Sequence, residues 1–375
     1  MSTPDYDTDS VKHLIRRKSW LTPIEKIQRK AERDFSKDRR NERFKYFTFC
    51  AKNALDVFML EKEGLLYRDP ETKRLVNVFF CEEKDEDFVI IEKLIGSSET
   101  VQGFYGNFTD LISKDFDDVE SINIEEGDSL FDEDEDEETR RLRRLKTSQE
   151  DLYNSFPFDV INFDVYGNFF PEGDNRYSEQ IKVLSKLFDL QKNNKGYLIN
   201  EFLLILTIYT PVQDGQINQD VITLFHQYLH SNFAHQQIKD SFVESYKVES
   251  PENLNYHVKF TLGFLKSFLL REAYSKGWET ELVNLYCYDR SFKNGEPYKM
   301  SSFVVKFSRN NNLDEIYDFK GAIPEVIEEK YINEVLKFIS QFPQDIDANK
   351  ISKQIIEDLK SVVEFREEYL RSINN

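Results

Sequence analysis

From Phe44 onward, apolar runs of strand length alternate with segments of helical period, and that rhythm predicts an α/β chain. FKYFTFCA (44–51) reads as a first strand, and NALDVFMLEKEGLL (53–66) as the helix behind it. RLVNVFFCEE (74–83) is almost continuously apolar, as a strand buried on both faces must be. DEDFVIIEKLIG (85–96) is a helix whose opening acids suit the positive end of its dipole. VQGFYGNF (101–108) supplies a third strand and FDVINFD (158–164) a fourth. A helix around YSEQIKVLSKLFDLQKN (177–193) then leads to a fifth strand, YLINEFLLILTIYTP (197–211). Strands spaced by helices in this way form a parallel sheet. Residues 215–277 read as helices, after which WETELVNLYCYD (278–289) and MSSFVVKFSRN (300–310) flank Lys293-Asn294-Gly295, a strong hairpin signal. Polar helices follow from Pro324, and NKISKQIIEDLKSVVEFREEYLRSI (349–373) spaces its apolar residues for one buried face.

Charge divides the remainder. Residues 11–43 are rich in Lys and Arg, with Thr22-Pro23 placed to start a helix at Ile24, and they form a basic helical arm. The stretch 115–138 holds many acids and no Lys or Arg, and the basic TRRLRRLK adjoins it, so 115–150 is expected to be a charged, flexible insertion. The expected organisation is therefore an arm (1–43), an α/β domain (44–309) carrying that insertion, and a helical appendage (310–375).

In 375 residues with net charge −19, the 39% apolar fraction supports a substantial core, and the acidic surface excludes wholesale attraction to nucleic acid. Any contact with a nucleic acid or protein partner is expected through the basic arm. No run approaches the roughly 20 apolar residues of a membrane span, and the polar start has no signal core, so a cytoplasmic protein without a membrane partner is expected. Cys50, Cys81 and Cys287 lie far apart in apolar runs and indicate neither disulfide nor zinc knuckle. His226 and His230 stand one helical turn apart, with His235 beyond, but without a carboxylate at ligand spacing they read as residues of a packing helix.

The segment Phe158 to Pro171, FDVINFDVYGNFFP, delivers Asp164, Tyr166 and Gly167 at the carboxyl end of an apolar strand, where open α/β sheets bind ligands. It resembles the fourth-strand motif of class I S-adenosylmethionine-dependent methyltransferases. It is closest to the Asp-Pro-Tyr-Gly form of the tRNA guanine dimethyltransferase family, with Val165 in the place of proline. The resemblance covers approximately residues 44–309. It implies a Rossmann-like methyltransferase sheet, mostly parallel, with the C-terminal antiparallel hairpin as its last two strands and helical additions at both ends.

Residue roles follow from the same resemblance. The loop from Cys50 to Val57 occupies the place of the family's small-residue cofactor loop, which implies Ala51 and Asn53 as S-adenosylmethionine contacts. No glycine stands between Arg43 and Gly64, and Asn53 is the residue suited to a left-handed conformation there. Glu82 is placed to take the ribose hydroxyls, Asn107 to read the adenine amine and Phe108 to wall the ring. Asp164 would accept hydrogen bonds from the acceptor amine while Tyr166 stacks on its ring and Gly167 lets backbone come close. The expected function is methyl transfer to an amine, on nucleic acid or another acceptor. The alternative is a catalytically inactive methyltransferase-like interaction module that docks through its arm, insertion and helical tail. A nicotinamide oxidoreductase would require Gly-x-Gly-x-x-Gly after the first strand, and the motif is absent.

Overall fold

A computed structural model describes residues 9–33, 44–96, 102–114, 137–164, 177–192, 199–210, 212, 219–220, 223, 227, 235–249, 253–261, 269–291, 295, 297–309, 333, 336 and 344–374. Its centre is an eight-stranded sheet. Strands β1 (Tyr46–Thr48), β2 (Val78–Glu82), β3 (Gly103–Tyr105), β4 (Val160–Asp164) and β5 (Glu201–Thr210) are all parallel, and β6 (Trp278–Ser291) and β7 (Pro297–Arg309) form an antiparallel hairpin. With β8 (Gln344–Ile346) the spatial order is β3-β2-β1-β4-β5-β7-β6-β8. β7 therefore lies antiparallel to β5, inside the hairpin's own partner. β5 is buried along nearly its whole length, which its unbroken apolar sequence anticipates.

Each strand sends alternate residues to opposite faces. Phe47, Ile161, Phe163, Leu204 and Phe303 enter one core, under α5 (Phe108–Ser113), α7 (Tyr177–Lys192), α8 (Gln236–Tyr246) and α10 (Leu270–Ser275), with the short α9 (Tyr256–Thr261) between the last two in sequence. Tyr46, Val160, Leu203, Ile205 and Val304 enter the other, under α2 (Leu21–Arg33), α3 (Leu55–Lys62), α4 (Asp85–Ile95) and the C-terminal α11 (Lys353–Asn374). α3 is buried from Leu55 to Leu60, because the sheet covers one side and α11 the other. Both terminal segments thus contribute to the core.

Three expectations change in detail. Helix starts at Ser10 and not at Ile24, as α1 (Ser10–Ile15) runs through a π turn (Arg16–Trp20) into α2. A proline ring crowds the carbonyl four residues before it, and the wider turn just upstream of Pro23 displaces that carbonyl. The second part of the charged insertion is ordered, since α6 (Glu137–Ser155) packs along β3. Its Ser148 hydroxyl accepts the Tyr105 N–H at 3.0 Å, occupying an edge-strand donor, and Arg144 lies 3.6 Å from the Tyr105 ring centroid. Residues 115–136 lie outside the described residues. The third strand is also shorter than its apolar run, and Phe108 opens α5 instead of ending β3.

Candidate functional site at the switch point of the sheet

The parallel order reverses direction between β1 and β4, whose helices leave toward opposite faces, so a crevice opens beyond their carboxyl ends. On its floor lies a buried polar hub. Asp56 Oδ2, in the first turn of α3, accepts from Tyr46 Oη (2.9 Å), Thr48 Oγ1 (2.8 Å) and Asn162 Nδ2 (3.1 Å), joining β1, α3 and β4. Asn162 also donates to Thr48 Oγ1 at 3.1 Å. Asp56 is 2% exposed, and its Oδ1, like Asn162 Oδ1, is a buried acceptor without a hydrogen-bond donor. Burial and the Asp56 charge push the Tyr46 hydroxyl well above the ordinary range, so it stays a donor.

The loop from β1 to α3 turns tightly, with the Ala54 N–H donating to the Ala51 carbonyl at 2.7 Å. Ala54, and not Asn53, takes the left-handed conformation (φ 48°, ψ 35°). Ala51 is exposed, and the Asn53 carbonyl accepts from Arg366 Nε of α11 at 2.9 Å. A backbone carbonyl of the expected cofactor loop is therefore tied to the C-terminal helix.

At the end of β2, Glu82 Oε1 accepts the Lys84 N–H at 2.9 Å, and burial raises the Glu82 carboxyl above its ordinary value. Asn107 caps α5 by accepting the Thr109 N–H (2.9 Å) and donates Nδ2 to Glu83 at 3.1 Å, so the ends of β2 and β3 are bridged. Phe108 faces the core, with ring centroids 4.9 Å from Phe49, 5.3 Å from Phe163 and 5.4 Å from Phe47. Its ring is committed to packing there. Asp164, by strand alternation, shares the face of Asn162 and Val160, and its Oδ2 lies 2.5 Å from Lys12 Nζ of α1. Tyr166 and Gly167 lie outside the described residues, as do His226 and His230.

The helical arm is fastened beside this crevice by further polar contacts. His13 Nε2 meets Asp358 Oδ2 at 2.7 Å, Arg17 pairs with Asp358 and Glu63, and Asp9 pairs with Arg290 of β6. Burial dominates at His13 and lowers its pKa despite the Asp358 carboxylate. Lys12, Arg16 and Arg17 therefore point inward or sideways, leaving Lys18, with Lys26, Arg29 and Lys30 of α2, on the exposed side of the arm.

Sequence reading missed Asp56, Asn162, Lys12 and Arg366. Asp56 had a signal, an acid inside the apolar run ALDVFML, and so did Asn162, an amide inside FDVINFD. A buried polar residue in such a run needs partners. Lys12 and Arg366 had none, since their roles depend on where the two termini dock.

A nucleoside cofactor would need acceptors for its ribose hydroxyls near the end of β2, and a half-buried carboxylate whose charge is disfavoured gains from such donors. Glu82 fits that need, with Asn107 and Glu83 beside it. Phe108 does not fit the ring-wall role. Among the described residues no group of three or more His, Cys, Asp or Glu is arranged to hold a metal ion, and no helix is long and apolar enough to cross a membrane. A family model described as PP_RS20740-like matches residues 143–369, from within α6 almost to the end of α11, and so includes Asp164 and the hairpin. No curated protein matches the chain.

Proposed function

Starting from a chain that belongs to the PP_RS20740-like family, we propose that it is an S-adenosylmethionine-dependent methyltransferase with a Rossmann-like sheet, acting on an amine acceptor. The observation that carries this reading is the sheet. Five parallel strands in the order β3-β2-β1-β4-β5 are closed by an antiparallel hairpin with β7 against β5. That closure is the one the resemblance implies, and the parallel pairing of β1 with β4 sets their carboxyl ends side by side. When bound, the cofactor supplies a methyl group activated on a sulfonium. Glu82 would hold the ribose hydroxyls, Asn107 and Glu83 would border the base, and the 51–54 turn would lie along the remaining end. Asp164 orients the acceptor amine by charge and hydrogen bonding, with Tyr166 and Gly167 assigned to the acceptor side from sequence.

A second reading has its own observation. Asp164 is already paired with Lys12, and the Asn53 carbonyl with Arg366, so the groups expected to meet ligands are used within the chain. This favours the inactive interaction module, which would dock through its surface alone.

The two readings separate in a transfer assay. The protein is incubated with methyl-labelled S-adenosylmethionine and pools of RNA, DNA and protein. Label that enters one pool and falls at least about 10-fold with Asp164→Asn supports the enzyme. Tyr166→Ala should lower transfer more than it lowers cofactor affinity. No labelled pool with an intact wild-type fold assigns the chain to the docking module.

A further inference from the structure

The Lys12–Asp164 pair lies where the proposed reaction would hold its acceptor. The Asp164 side chain is 8% exposed and that of Lys12 19%, so the pair is largely shielded from water. Beside it, Val11 and Ile15 of α1 pack against Tyr286 and Tyr288 of β6. Burial, with the Asp164 charge adding to it, pushes the Tyr288 hydroxyl above its ordinary range. A shielded carboxylate left without a cation is costly. A nucleobase amine is uncharged and would not offset that cost, whereas an alkylammonium brings a full charge and three N–H donors.

We infer that the carboxyl end of β4 is a site for a primary alkylammonium of the lysyl side-chain type, and that Lys12 is its occupant within the chain. This rests on the methyltransferase reading, in which the occupant, once it has released one N–H proton to water and so freed its lone pair, is the methyl acceptor, its new N–C bond replacing the cofactor's S–C bond; it narrows the acceptor from amines in general to alkylamines. Helix α1 then acts as a built-in substitute for the acceptor. Its ties to Arg290, Asp358 and Glu63 hold Lys12 in place.

The test removes the occupant and offers another. Lys12→Ala in the full chain should melt at a lower temperature than wild type, and n-butylammonium should restore the midpoint. Tetramethylammonium, which has no N–H, should not. Binding of n-butylammonium to Lys12→Ala should be at least about 10-fold tighter than to wild type or to Lys12→Ala/Asp164→Asn. Should Lys12→Ala fail to fold, the comparison becomes recovery on refolding from urea, expected with n-butylammonium and absent with tetramethylammonium. Equal effects of the two salts, no rescue by either, or rescue by adenosine or cytidine in place of n-butylammonium overturns the inference. Titration of wild type with S-adenosylhomocysteine is independent of these outcomes. Heat of binding without amine rescue removes this inference and leaves the methyltransferase reading standing, whereas amine rescue without heat leaves an ammonium site at the end of β4 and removes its reading as the methyl-acceptor site.

Discussion

Removing the Asp56 carboxylate should unfold the switch point more readily than any other single polar change on that face. Three buried donors converge on Oδ2, and Asp56→Ala strands the Tyr46 and Thr48 hydroxyls while leaving Asn162 with Thr48. Each buried donor left without a partner costs about 1–3 kcal/mol, and the two are coupled, so the expected loss is about 3–4 kcal/mol. Asp56→Asn keeps one acceptor oxygen but turns an NH₂ toward the rest of the hub, for an expected loss of about 1–2 kcal/mol. Tyr46→Phe takes away one donor and leaves Oδ2 with two, so about 1 kcal/mol is expected. Urea unfolding followed by the fluorescence of Trp20 and Trp278, both fully buried, reads all three variants. The m value should stay constant, because the surface exposed on unfolding is unchanged. A loss below about 1 kcal/mol for Asp56→Ala, or equal losses for Ala and Asn, would refute the argument that the hub is held by converging donors.

Burial pushes the Asp159 carboxyl up to about 6, above the ordinary carboxylate value. The folded chain therefore holds that proton more tightly, and the contribution present at low pH is lost as pH rises through about 6. The stability of wild type relative to Asp159→Asn should accordingly fall by about 2–3 kcal/mol between pH 4 and pH 6.5, and a flat difference would contradict it. His257 is pushed down to about 4, by burial first and then by the Lys299 charge. Its contribution is present above the ordinary histidine range and is lost as pH falls toward 4, so a His257→Gln comparison should slope the other way. Gly103→Ala would place a methyl 2.6 Å from a Phe80 ring carbon and 2.8 Å from Phe88, and chemical denaturation should show a loss of about 1–3 kcal/mol. Lys247 ends α8 in the left-handed conformation (φ 57°), so Lys247→Gly should raise the melting midpoint by the equivalent of about 1 kcal/mol.

The first seven strands and the closing hairpin were legible because each rests on local pattern, whereas β8 falls in the segment expected to be polar helices from Pro324, since three largely exposed residues carry no strand signal. β2 and β5 announce two-sided burial by their unbroken apolar runs, and Lys293-Asn294-Gly295 marks the turn between β6 and β7. The adjacency of β1 and β4, which opens the crevice, lies in the strand order and not in any local pattern. The positions of Lys12, Arg366 and Asp358 were not legible. They depend on where the two terminal helices dock: His13 meets Asp358 across the two helices, Arg366 reaches the Asn53 carbonyl, and Lys12 reaches Asp164 of β4. The amphipathic face of 349–373 signalled that α11 would be covered but could not say by α3. α3 carried the complementary sign, since NALDVFMLEK is apolar on nearly every side and so demands cover beyond the sheet. Phe108 was misplaced for a related reason. Its apolar neighbours suit a strand end or a helix start equally, and three surrounding phenylalanines decided the outcome.

The proposed function stands most directly on whether the crevice holds the cofactor's demethylated product. Calorimetric titration of the full chain with S-adenosylhomocysteine is predicted to give saturable heat at one site. Glu82→Ala is predicted to weaken that binding by about 1–3 kcal/mol while leaving the melting curve intact, because its carboxylate then no longer meets the ribose hydroxyls. Absence of heat with a folded wild-type chain, or binding that is unchanged by Glu82→Ala, would contradict the account.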